Sequence, residues 1–329
     1  MSNKLAKDNE TLGIANPMKI LSELNKYIVV IALVVVVGVF SFLTPHFLSI
    51  KNFYAIGLTL SVVGIICIGQ TLCILIRGFD LSVGQVAAFS GILIAYISRA
   101  GVPYVLAVLI SLGFGIFAGL INGTIIAKLK ISPLITTLAT MQIYLGGVYI
   151  ISGGYSITVP NPEFSFIGTT RILGIPLPII ILIALYIGFY LLLKHTVFGR
   201  YIYCMGGNPE AARVSGINTS KMTLIIYTLS AVLAAIAGII LSSRLGAAQT
   251  TAGGTYAMDS IAAVVLGGTA LSGGKGNVLG SLIGIAIVGI LQNGLIMINM
   301  PIYYQFVATG VVLIVAVLMQ SINQIKSKS

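Results

Sequence analysis

The sequence predicts an all-α integral membrane protein of about ten transmembrane helices, with a weak inverted repeat and both termini cytoplasmic. Three observations carry that prediction: a composition that water solvates poorly, charge-free intervals of helix-spanning length, and basic residues sorted between alternate loops. Of 329 residues, 57% are hydrophobic and 8% charged, against about 45–50% apolar and about 25% charged in a soluble domain. Lipid accepts such a surface and water does not.

The charge-free intervals are 27–50, 52–76, 81–98, 100–127, 131–162, 172–193, 222–243, 260–274 and 276–325. A spanning helix needs about 20 apolar residues, so the last interval holds two. Asn299-Met300-Pro301 divides it, because proline followed by Tyr303 and Tyr304 suits an interfacial turn better than mid-bilayer helix. The eighth interval is short enough to be a broken half-helix. The first is too long, and too poorly followed by small residues, for a removable signal.

Threaded from a cytoplasmic amino terminus, 14 of the 18 basic residues lie inside, and Lys51, Arg99, Arg171 and Arg244 lie outside. Positive residues favour the cytoplasmic side, which sets the orientation. The chain then divides into a cytoplasmic segment 1–26, a transmembrane domain 27–320 with an inner loop at 194–221, and a cytoplasmic tail 321–329. Two outer segments, 152–175 and 244–259, are long enough either to meet an outside partner or to serve as plain connectors.

An internal echo supports a repeat. Gly113 to Gly123 and Gly284 to Gly294 each carry glycine, leucine seven residues later, and then Asn122-Gly123 or Asn293-Gly294. One copy falls near the inner end of span four and the other near the outer end of span nine, as an inverted-topology repeat requires. Transporters place their pathway at such repeat interfaces.

Composition also excludes functions. The net charge of +11 is scattered between apolar runs, not gathered on a face or arm, which argues against nucleic acid. Cys67, Cys73 and Cys204 lack metal or disulfide spacing. His46 and His195 stand in separate loops with no clustered acids, so neither nucleophilic nor metal chemistry is indicated. The glycine-rich run Gly267 to Gly276 lacks the final Ser or Thr of a phosphate loop and reads as a tight inner turn.

Uncharged polar residues within the spans are more informative: Gln70, Thr71, Asn122, Thr136, Thr137, Thr140, Gln142, Tyr227, Gln292 and Asn293. Hydroxyl and amide groups suit a neutral, polyhydroxylated solute, although the same groups also glue helices together. Asp80, at membrane depth, is either a functional acid or the N-cap of span three with Arg77 beside it. In the inner loop, Asn208 is an N-cap, Pro209 fits the first helical position, Glu210 faces the positive dipole end and Gly216 suits a left-handed cap. A helix of two turns is marginal alone, so Asn208, Pro209, Glu210, Ala211, Ala212, Arg213, Ser215 and Gly216 write either a shape that a partner grips, with Ala211 and Ala212 allowing close approach, or a connector on the membrane surface.

Gly207 to Gly216, together with Asp80-Leu81-Ser82-Val83-Gly84 and Ile261 to Gly276, resembles the ribose/galactose/xylose permease family of ABC importers, over roughly residues 27–320. The resemblance implies a transport subunit, not an enzyme, in the bacterial inner membrane. Its implied partners are a second permease subunit, identical or different, an ATPase with two cassettes that holds the ATP and Mg, and an extracytoplasmic sugar-binding protein. This chain then holds no cofactor of its own. The segment 208–216 is similar to the coupling helix that rests on the ATPase, the outer segments would face the binding protein, and Gln249 to Gly253 with Tyr256 is similar to ribose permeases. Two alternatives stay open: a permease for a nucleoside, a furanose-like signal or a branched-chain amino acid, and an ion-coupled secondary transporter. The second lacks buried acids, because Asp80, Glu163, Glu210 and Asp259 all map to loops.

Overall fold

The computed structural model describes residues 17–326; residues 1–16 and 327–329, the outermost parts of both expected cytoplasmic tails, lie outside them. The helices are α1 (Pro17–Leu43), α2 (Ile50–Leu75), α3 (Val83–Arg99), α4 (Tyr104–Lys128), α5 (Pro133–Ser152), α6 (Phe166–Thr169), α7 (Leu177–His195), α8 (Val197–Gly207), α9 (Pro209–Val214), α10 (Thr219–Leu245), α11 (Tyr256–Leu266), α12 (Val278–Met297) and α13 (Ile302–Lys326). Four two-residue strands accompany them: β1 (Ile157–Thr158), β2 (Arg171–Ile172), β3 (Ile175–Pro176) and β4 (Ala247–Ala248). Among the described residues, α2, α4, α5, α7, α10 and α12 are long and apolar enough to cross a membrane, and shorter apolar helices lie at Val29–Leu43, Val83–Arg99, Tyr256–Leu266 and Ile302–Ile314. The chain is therefore all-helical in its substance.

Several boundaries differ from the charge-free map. The interval 131–162 yields a helix only to Ser152, because Gly153 takes a left-handed conformation at φ +63° and ends it. The eighth span is shorter and earlier than 260–274, running from Tyr256 to Leu266. This also moves Asp259 from an expected loop into a helix. Helix α8 has no counterpart in the charge-free map; its start is written by Thr196, whose hydroxyl accepts from the Gly199 amide at 3.4 Å.

Two helices form the centre. Of their most apolar stretches, 83% of α2 and 67% of α10 is buried, against 22–39% for the other four long helices. Large side chains such as Phe117, Ile143 and Ile183 remain exposed around them, the expected surface of a protein solvated by lipid. Packing about the centre is reciprocal: α3 and α4 lie on α10, while α11 and α12 lie on α2.

Glycine sets how closely these helices approach. A Cβ on Gly119 of α4 would lie 2.4 Å from the Thr228 Cα, one on Gly238 of α10 would lie 2.0 Å from the Ala87 carbonyl oxygen, and one on Gly284 of α12 would lie 1.9 Å from the Ala263 carbonyl oxygen. Without a hydrophobic drive between helices in lipid, such backbone contact is what association relies on.

The two long segments expected outside are stitched together. β1 pairs antiparallel with β4, Ile157 opposite Ala248 and Thr158 opposite Ala247, and the Gly168 amide donates to the Ser243 hydroxyl at 2.8 Å. After β4 the chain turns back into the bundle, so that a Cβ on Gly84, in the first turn of α3, would lie 2.0 Å from the Gly253 carbonyl oxygen. Two interrupted regions, 76–82 and 246–255, therefore lead into neighbouring positions inside the protein.

Replacing Gly119 by alanine is expected to lower the thermal unfolding midpoint of the detergent-solubilised protein, at a cost of about 1–3 kcal/mol for an overpacked contact. Gly113→Ala, on the same helix but with nothing within 4 Å of its Cβ position, is expected to hold or raise the midpoint, since alanine is favoured by about 0.5–1 kcal/mol in a helix. Equal midpoints for the two variants would contradict this packing.

Candidate functional site

The polar centre of the molecule is built where α2 stops. Cys73 accepts from Gly78 at 2.8 Å and Ile74 accepts from Arg77 at 2.9 Å, which closes the last turn, and Arg77 adopts φ +66°. The chain then turns back into the bundle and α3 begins at Val83. Backbone freed by a break at membrane depth has to be satisfied within the protein.

Asp80 does much of that work. Fully buried, its Oδ1 accepts from the Ser82 amide at 3.0 Å and the Ser82 hydroxyl at 2.6 Å. Its Oδ2 accepts from the Ser230 hydroxyl at 2.9 Å. Asn122 Nδ2 donates in turn to the Ser82 Oγ at 2.9 Å. Four residues from the α2–α3 break, α4 and α10 thus form one connected network. Ser230 lies eleven residues into α10, roughly 16 Å from its start at 1.5 Å per residue, so the carboxylate stands well inside the bundle.

The N-cap reading of Asp80 is corrected by this geometry. Ser82 holds the N-cap position, with no side-chain cap bond, and Asp80 closes a turn ahead of it. Nor does Arg77 stand beside the acid: its guanidinium reaches the carbonyls of Gly206 and Gly207 at the end of α8, with the Nε donating to Gly206 at 2.7 Å. The carboxylate is held by hydroxyl and amide donors instead.

Of the predicted pathway residues, the structure brings three to this centre. Asn122 joins the network directly, the Tyr227 hydroxyl donates to the Phe79 carbonyl at 3.3 Å, and the Thr137 hydroxyl lies 3.4 Å from that carbonyl while donating to the Pro133 carbonyl at 2.8 Å. Gln70 is fully buried with neither amide atom hydrogen-bonded, and the Asn122 Oδ1 and Thr136 Oγ1 are also buried without partners. Its neighbour Gly69 packs on Ser230, where an added Cβ would lie 2.8 Å from the Cα.

The others lie elsewhere. Thr140 bonds back to the Thr136 carbonyl within α5, and Thr71 to that of Cys67. Gln142 is exposed on the surface of the chain, because it falls on the opposite side of α5 from buried Thr140 and Tyr144. Asn293 donates to Asn52 at 3.0 Å, and Gln292 reaches Asp259 and Thr309 at 3.4 Å each. Asp259 is itself buried, so two acids placed in loops by the sequence reading are interior groups. The signal was available, since an acid flanked by apolar runs is a site candidate by default.

The short inner helix has the geometry that its sequence writes. Asn208 accepts from the Glu210 and Ala211 amides, both at 3.1 Å, Arg213 pairs with Glu210 at 3.0 Å, and Gly216 takes φ +85°. Ser215 is exposed just past the last turn. One expectation changes: Ala212 is buried against the bundle, leaving Ala211 outward-facing beside Val214, which is 82% exposed. A residue on a six-residue helix cannot face both ways, and Ala212 packs with the core that includes Ile202, Met205 and Met222.

Asp80→Ala strands the Ser82 and Ser230 donors, each buried group costing about 1–3 kcal/mol, while Asp80→Asn keeps the shape and an acceptor. The thermal midpoint is expected to fall in the order wild type, Asp80→Asn, Asp80→Ala. An Asp80→Ala variant as stable as wild type would remove Asp80 from the centre of the network.

Residues 52–317 match the family described as branched-chain amino acid transport system / permease component. The chain is 42% identical to the ribose import permease protein of Haemophilus influenzae, over 88% of this chain and 90% of that one. It is 41% identical to the ribose import permease protein of Bacillus subtilis, over 88% and 90%, and 38% identical to the L-arabinose transport system permease protein of Escherichia coli, over 85% of each. No solved structure matches the chain. It is a multi-pass membrane protein, and it belongs to this family of transport-system permease components.

Proposed function

We propose that this chain is the transmembrane subunit of an ABC importer that carries a monosaccharide, ribose or a similar pentose, into the cell. The observation that carries the reading is the similarity to ribose import permeases over 88% of the chain, with little length left unmatched on either side. The family description names branched-chain amino acids, whereas relatives at 35–42% identity are named for ribose, L-arabinose and fructose. Hydroxyl and amide groups around Asn122, Thr137, Tyr227 and the unpartnered Gln70 favour the neutral, polyhydroxylated cargo.

In this reading the domain 27–320 crosses the membrane ten times, through α1, α2, α3, α4, α5, α7, α10, α11, α12 and α13, with both termini cytoplasmic. Fourteen inner basic residues against four outer ones support the orientation. The reciprocal packing of α3 and α4 on α10, and of α11 and α12 on α2, supports the inverted repeat first indicated by Asn122-Gly123 and Asn293-Gly294. The pathway then runs near the Asp80 network, where the two interrupted regions approach each other.

The loop 194–221 is the coupling loop, with α9 seated on the ATPase. Ala211 and Val214, outward-facing on a helix capped at both ends, support that role. ATP and Mg belong to the ATPase, a second permease subunit completes the path, and a sugar-binding protein docks on the β1–β4 side. Catalysis is absent from the chain's own role: closure of the cassettes moves α9, and the membrane subunits shift between outward- and inward-facing states. A weakly binding path suffices if ATP supplies the bias, because only differential affinity for the two states shifts their populations.

Uptake of labelled ribose by cells carrying the complete importer, in competition with xylose, galactose and leucine, tests the cargo. Ribose is expected to compete best, and leucine competing best would reassign it. Ala211→Asp tests the coupling helix. An unpaired charge in a desolvated contact costs a few kcal/mol, so uptake is expected to fall by about tenfold or more, each 1.4 kcal/mol being roughly a factor of ten. Unchanged uptake with the complex assembled would contradict the role.

A further inference from the structure

Arg77 joins two parts of the molecule that the chain does not otherwise connect directly. Its backbone occupies the left-handed region at φ +66°, which a side chain adopts only when its surroundings hold it there. The side chain runs to the end of α8, where the guanidinium donates to the Gly206 and Gly207 carbonyls. Those groups belong to the unsatisfied, negative end of a helix. The next residue, Asn208, is the N-cap of α9, so Arg77 grips the hinge from which α9 starts.

The grip has no slack. A Cβ on Gly206 would lie 1.9 Å from the Leu75 carbonyl oxygen and 2.4 Å from the Gly274 amide nitrogen, and one on Gly273 would lie 2.5 Å from the Arg77 Cγ. The Gly274 amide donates to the Leu75 carbonyl at 2.9 Å, and the Tyr203 hydroxyl donates to that of Gly276, also at 2.9 Å. The ends of α2 and α8 and the turn after α11 therefore meet at one point.

From that point only Gly78 and Phe79 separate Arg77 from Asp80. Both are held: a Cβ on Gly78 would lie 2.3 Å from the Tyr227 hydroxyl, and the Phe79 carbonyl accepts from that same hydroxyl at 3.3 Å. Asp80 in turn is bound to Ser82 and Ser230. A displacement of the α8–α9 hinge has no free chain in which to dissipate before it reaches the polar centre.

We infer that Arg77 is a positioning residue that transmits movement of α9 to the Asp80–Ser82–Ser230–Asn122 network inside the membrane. The inference rests on the coupling role proposed for α9. It makes Arg77 necessary for using ATP hydrolysis productively, not for hydrolysing ATP. It also places Arg77 and Ser230 on one line of transmission, although their side chains do not touch each other.

The test uses the complete importer in proteoliposomes, with ribose uptake and ATP hydrolysis measured together. Arg77→Gln is expected to assemble and hydrolyse ATP, while ribose imported per ATP falls by between about twofold and thirtyfold, the range for residues that carry coupling between sites. Arg77→Lys, keeping the charge and single-point donors, is expected to fall between the two. Ser230→Ala is expected to lower the ratio as well, and the double variant Arg77→Gln/Ser230→Ala to be no worse than the poorer single variant, since each breaks the same line.

Wild-type ribose per ATP in Arg77→Gln, or losses that multiply in the double variant, would overturn the inference. If Arg77→Gln fails to assemble, Arg77→Lys decides: a ratio below wild type supports the linkage and a wild-type ratio overturns it. Ala211→Asp in the same assay separates the two levels of the argument. Uncoupling by Ala211→Asp with none by Arg77→Gln defeats the linkage alone, whereas full coupling in Ala211→Asp defeats the role of α9.

Discussion

A helix interrupted inside a lipid-solvated bundle leaves amides and carbonyls that no water satisfies, and the fold depends on how those groups find partners. At the α2–α3 break, Asp80 collects the Ser82 amide and the hydroxyls of Ser82 and Ser230, and Asn122 extends the network to α4. A neutral side chain offers fewer acceptor sites than a carboxylate in the same space. One acid therefore holds a broken helix to two unbroken ones, with the Tyr227 hydroxyl donating to the Phe79 carbonyl.

Close approach is the second requirement, and glycine meets it. Gly119, Gly238 and Gly284 put backbone against backbone where a methyl group would collide, so α3 and α4 lie tightly on α10, and α12 on α11. The same economy of volume lets Gly84 and Gly253 touch from opposite breaks. A bundle built this way has few soft places, which gives the tight junction of Leu75, Gly206 and Gly274 its mechanical interest: α9 stands on a hinge whose movement passes into the polar centre.

Much of this was legible in the sequence. Charge-free intervals located the long helices, because a charge inside an apolar run is costly in lipid. The capping signals from Asn208 to Gly216 defined α9, because caps are local chemistry. Tertiary facts were less legible. Asp80 sits three residues ahead of the helix start at Val83, so its sequence fits a cap; only the arrival of Ser230, 150 residues later in the chain, turns it into a hub. Asp259 looked like a loop residue because the map began the eighth helix four residues late. Helix α8 is not legible because its apolar and basic residues resemble a connector, and Gln142 and Thr140 share a span while helical geometry puts them on different faces.

The two buried acids bear on energy source, since ion-coupled carriers depend on such groups, whereas the family membership and the exposed, capped α9 speak for ATP. The most direct measurement places the purified importer in sealed proteoliposomes with ribose-loaded binding protein outside and ATP trapped inside, without any ion gradient. The account predicts ribose accumulation that requires the trapped ATP and is indifferent to an imposed proton or sodium gradient. Accumulation driven by the gradient in the absence of ATP would contradict it.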